Sequence, residues 1–61
     1  MMYREDIKAE VVDYIRNRGE SVKDYNIGVI VDNLLVRYRL EGIESYRDYF
    51  EVAVFMNRVA E

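Results

Sequence analysis

The chain has 61 residues, 51% of them apolar, with twelve acids against nine bases, a net charge of −3, and neither Cys nor His. That leaves no room for a second domain and excludes disulfide staples and a zinc site built on thiols or imidazoles. It also removes the commonest general base, the commonest metal ligand and the best nucleophile from any catalytic scheme, and the acidic balance disfavours a nucleic-acid partner.

A domain of this size buries only about 60% of its unfolded surface, so its stability is marginal without help. Oligomerisation is the staple that remains, and the generous apolar share points to it. Seven of the nine bases are Arg, and six Tyr stand against two Phe and no Trp. Both biases suit contact surfaces, although Tyr at half-buried core margins accounts for most of its own excess. The first residues alternate charged and apolar side chains without the hydrophobic stretch of a secretory leader, and no apolar run approaches the ~18 residues that span a membrane. A cytoplasmic location without a membrane partner is the expectation.

In chain order, the first predicted helix covers 3–18, with Tyr3, Ile7, Val11, Tyr14 and Ile15 on one face. Acids gather in its first turn and Arg16 and Arg18 in its last, as the helix dipole favours, and Gly19 supplies a left-handed stop. Residues 20–25 form the longest polar connection. Ser21 with Asp24 at the capping-box position offers one helix start there, but the periodic apolar pattern begins after Asn26, which is taken as the N-cap.

The second predicted helix, 26–41, carries the densest run of branched apolar side chains. Ile27, Ile30, Val31, Leu34, Leu35 and Tyr38 form one broad stripe, and Val29, Val36 and Leu40 fall roughly opposite. A helix with two apolar faces is expected to be packed on both, so this one is placed centrally between its neighbours. Gly28 early in it either costs helix stability or permits a close crossing. Gly42 closes the helix, with Ile43 folding back on it as in a Schellman motif.

Ser45 followed by Asp48 reads as the N-cap of a third helix, 45–60. Its main stripe is Tyr46, Tyr49, Phe50, Ala53, Met56 and Ala60, with Val54 at the edge. Val52, Phe55 and Val59 form a second apolar cluster. The fold class is therefore all-α: a small three-helix domain, with a helical homodimer as the expected assembly.

The residues that could carry chemistry are few. Ser occurs at 21 and 45, both at expected caps, and Lys at 8 and 23, both among polar neighbours. Neither a Gly-rich phosphate loop nor a calcium-loop pattern is present. No enzymatic role, cofactor, metal or small-molecule substrate is expected. Glu5, Asp6, Glu10 and Asp13 form an acidic side of the first helix, read as a solvated face partly neutralised by Arg4, Lys8 and Arg16.

Arg37, Arg39 and Arg47, with Tyr46 among them, surround the turn between the second and third helices and make a candidate secondary surface. Their bland role is to pair with Glu41, Glu44 and Asp48. Their sharper role is a helix-turn-helix, whose third helix would offer Arg47, Asp48, Glu51, Asn57 and Arg58 to a DNA groove. The acids among those five repel phosphate.

The reading that results is a protein-interaction module whose partner is a second copy, through Val29, Val36, Leu40, Val52, Phe55 and Val59, or a larger host protein. A phage- or plasmid-type inhibitor that blocks a host protein is one form of that class, by size and style. A dimeric DNA-binding or transcription accessory protein is the alternative.

Overall fold

Each of the three periodic runs is a helix in the computed structural model, which describes residues 3–59. They are α1 (Arg4–Asn17), α2 (Asp24–Glu41) and α3 (Ile43–Val59), with no strand among the described residues. Ala60, expected to end the third helix, lies outside them.

The core forms where the main stripes meet. α1 contributes Ile7, Val11 and Ile15; α2 contributes Ile27, Ile30, Val31 and Leu34; α3 contributes Tyr46, Tyr49, Phe50, Ala53 and Val54. Tyr14, Leu35, Tyr38 and Met56, expected in these stripes, are only partly buried and pack against the rim. Tyr3 drops out of the α1 stripe altogether: it precedes the helix and is 62% exposed. Four rings from all three helices lie edge to face in series, Tyr38–Tyr46–Phe50–Tyr14, with centroids 5.9, 5.0 and 5.2 Å apart. This is the arrangement that ring quadrupoles favour.

α1 ends as its sequence indicates. Gly19 takes φ 78°, its N–H bonds the Arg16 carbonyl at 2.9 Å, and the Glu20 N–H reaches Ile15 O at 3.3 Å, the paired bonds of a Schellman motif.

The other two junctions differ from expectation. α2 starts at Asp24, two residues ahead of Asn26, because α3 holds the incoming chain. Asn57 accepts the Lys23 N–H at 2.9 Å and donates to the Ser21 carbonyl at 2.8 Å. Asn26, freed from capping, donates instead to the carbonyls of Met56 and Asn57, each at 3.5 Å. Asn57 is itself 1% exposed, not a surface side chain available to a DNA groove. It falls four residues after Ala53 and seven after Phe50, so its place within the apolar stripe was the available signal.

At the second junction Gly42 serves both helices. With φ 94° and ψ −175° it reverses the chain within one residue. Its N–H bonds Tyr38 O at 3.1 Å, and its carbonyl accepts the Tyr46 N–H at 3.2 Å. α3 therefore begins at Ile43, and neither the Schellman contact of Ile43 nor the Ser45 cap forms. Ile43 is 41% exposed, and the Ser45 hydroxyl donates to Glu41 Oε1 at 2.5 Å.

Charged pairs link the helices and the connection after α1 at their edges. Arg4 pairs with Asp32, Arg18 with Glu51, and Arg58 with Glu20. Arg4 thus engages α2, not the acids of its own helix. Such exposed pairs contribute little each.

Candidate protein-interaction surface

α2 meets both neighbours through one broad face, and its second stripe is covered by neither. Val29, Val36 and Leu40 are 55%, 52% and 77% exposed, and on α3 Val52, Phe55 and Val59 are 44%, 59% and 54% exposed. The expectation that α2 is packed on two sides within the domain is corrected accordingly. The reason is geometric: two neighbours on adjacent flanks of a helix both fit within its main stripe.

The two outward stripes share one side of the molecule. α2 touches α1 on the flank bearing Asp32 and touches α3 on the flank bearing Asn26 and Arg37. At about 100° per residue, Val29, Val36 and Leu40 lie opposite the core and lean toward the α3 flank. On α3, Tyr49 and Met56 mark the flank toward α2, whereas Glu51 marks the flank toward α1. By the same geometry Val52 and Val59 turn toward α2, and Phe55 stands at the outer edge. α2 and α3 run antiparallel, with Asn26 beside Met56 and Tyr38 beside Tyr46, so Val29 is level with Phe55 and the stripes run side by side.

Apolar side chains exposed to this degree present on the order of 500 Å² per chain, near the upper end for the largest patch of a typical monomer. Asp32, Asn33, Arg39, Glu44 and Asp48 are exposed residues on these two helices, so the charge around the patch is of mixed sign.

The candidate Arg–Tyr surface does not assemble as a unit. Tyr46 is 1% exposed, because periodicity sets it in the α3 core stripe, and its hydroxyl donates to Glu10 Oε1 at 2.6 Å. Burial first, and that hydrogen bond second, hold its phenol above the ordinary tyrosine range. Arg37 lies over the Tyr49 ring at 4.3 Å and pairs with Glu41 at 3.8 Å. Arg39 and Arg47 are exposed and make no ion pair among the described residues, so Glu44 and Asp48 do not neutralise them. Of the five polar residues considered for a DNA groove, Asn57 is buried, Glu51 is held by Tyr14 and Arg18, and Arg58 is held by Glu20.

A cleft of about 260 Å³ opens where α1 meets α2, lined by Arg4, Glu5, Lys8, Gly28 and Val31. Only Val31 offers a sizeable apolar wall, and Arg4 is engaged by Asp32. Small-molecule sites are usually larger and mostly apolar. The apolar face of α2 and α3 is the stronger site. Comparison with protein-family models, with curated proteins and with solved structures finds no match for this chain.

Proposed function

We propose that this chain is a small protein-interaction module that works through the outward face of α2 and α3 and self-associates there as a homodimer. The observation that supports it is the exposure of Val29, Val36, Leu40, Val52, Phe55 and Val59 on one side of the molecule. Covering about 500 Å² per chain at about 25 cal/mol per Å² contributes on the order of 10 kcal/mol, and the entropic cost of association offsets much of it. For a domain of 61 residues without disulfides, that surplus is the source of added stability. The absence of Cys and His speaks for binding rather than catalysis, and the fitting compartment is the cytoplasm. An inhibitor that occupies a host protein would use the same face.

Light scattering at micromolar concentration tests this reading. Twice the single-chain mass is expected, and Phe55→Glu is expected to return it to one chain by placing an unpaired charge in the interface. Because Phe55 is outside the core, the variant keeps its helical spectrum. A single-chain mass for the unaltered protein overturns the homodimer.

The alternative, a DNA-binding or transcription accessory dimer, draws on the unpaired Arg39 and Arg47. It requires retention on generic DNA that falls steeply with salt. Salt-independent passage through such a column rejects it.

A further inference from the structure

Resting on the self-association reading above, we infer that α1 is a hinged strap, which lifts from the fold as a unit about Gly19 while α2 and α3 stay packed. The three helices are not held alike. α1 is seated by a narrow aliphatic stripe, Ile7, Val11 and Ile15, at four-residue spacing. Its polar ties are Arg4 to Asp32, Tyr14 to Glu51 and, in return, Tyr46 to Glu10, with Arg18 to Glu51 just past its end. The carboxylate in each tie is on an exposed residue, so water can satisfy it once the helix leaves.

α2 and α3 hold each other more closely. They share the one-residue turn at Gly42, and Asn26 donates to the Met56 and Asn57 carbonyls. Arg37 lies over the Tyr49 ring, and Tyr38 stands edge to face with Tyr46.

The boundary between the two parts falls at one residue. Arg58 holds Glu20, and the buried Asn57 holds the backbone of Ser21 and Lys23, so the chain is fastened to α3 from residue 20 onward. Immediately before that point stands Gly19, where a side chain would meet nothing within 4 Å. A glycine in open space can absorb the backbone rotation that a hinge requires.

Self-association explains why the remainder survives. Without α1, a single α2–α3 pair would show water an apolar stripe on either side. With a second copy over the outward face, α2 and α3 of both chains form a four-helix body that stays covered there when α1 lifts. Lifting bares core side chains such as Phe50, on which Tyr14 rests edge to face.

Amide hydrogen exchange reads the opening of each helix, at a concentration where light scattering gives twice the single-chain mass. Protection at Val11 and Ile15 is expected to be at least about tenfold lower than at Leu34 and Ala53. Equal protection in the three helices means a single cooperative unit and overturns the inference while leaving self-association intact. Gly42→Ala supplies a second readout. Its turn strain is the same whether α1 is seated or lifted, so exchange should quicken about tenfold in α2 and α3 and stay unchanged in α1. An equal rise in all three helices also overturns the inference. A single-chain mass for the unaltered protein overturns both readings.

Discussion

Tyr46 shows how one side chain can belong to two patterns. Proximity in sequence groups it with Arg37, Arg39 and Arg47, but the three- and four-residue spacing of α3 puts it inside, where its ring lies edge to face with Tyr38 and Phe50 and its hydroxyl reaches Glu10. Periodicity prevails because burying a ring gains more than exposing it beside a cation. In the unfolded chain the phenol ionises near pH ~10, whereas in the fold it stays neutral to higher pH. The unfolded state therefore releases the proton first, so stability is complete below about pH 10 and falls as pH rises beyond it. Tyr46→Phe is expected to cost about 1 kcal/mol at neutral pH, since Glu10 is exposed and turns to water. It should also flatten the alkaline limb of the denaturation midpoint plotted against pH. Leu34 is fully buried, and Leu34→Ala should cost about 2–5 kcal/mol through lost burial and a cavity. Glu5→Ala, on the exposed side of α1, should stay within about 0.5 kcal/mol by urea denaturation.

At the scale of elements, the helix bodies follow local rules and the junctions follow tertiary ones. Asn57, reaching back from α3 to the backbone of residues 21 and 23, moves the start of α2 from Asn26 to Asp24. Gly42 compresses an expected loop to one residue. Its backbone lies in a region essentially reserved for glycine, so Gly42→Ala should destabilise by about 1–3 kcal/mol. Gly28 provides the contrast. A methyl group there meets Arg4 Nη2 at 3.9 Å, an ordinary contact, so no close helix crossing requires the glycine. Gly28→Ala should stabilise the protein by up to about 1 kcal/mol, because Ala is the better helix former. Thermal melts of the two variants should move in opposite directions.

For the whole molecule, the decisive feature is an apolar face that the fold leaves in water. α1 has three core residues, an ion pair to α2 and hydrogen bonds to α3, whereas α2 and α3 each carry a second apolar stripe. If that stripe pairs with a second copy, folding is coupled to association and the melting temperature depends on concentration. Calorimetry over a hundredfold concentration range should show the midpoint rising with concentration in the unaltered protein. In Phe55→Glu it should be independent of concentration. A constant midpoint in both counts against the homodimer.

Much of this arrangement is carried by spacing alone. Three helices, the α2 core residues Ile27, Ile30, Val31 and Leu34, and the outward position of Val29, Val36, Leu40, Val52, Phe55 and Val59 all follow from a period of about 3.6 residues, which is a local property of the chain. The tertiary structure alone decided the rest: the Asn57 hold on the α2 start, the single-residue turn at Gly42, the engagement of Arg4 with Asp32, and the burial of the Tyr46 hydroxyl against Glu10. Except for Gly42, each joins groups 28 or more residues apart, as Arg4 and Asp32 are, and a helical period carries no information about which distant face will arrive. Gly42 could be recognised as a stop, but that its carbonyl would also start the next helix depended on α3 folding back along α2.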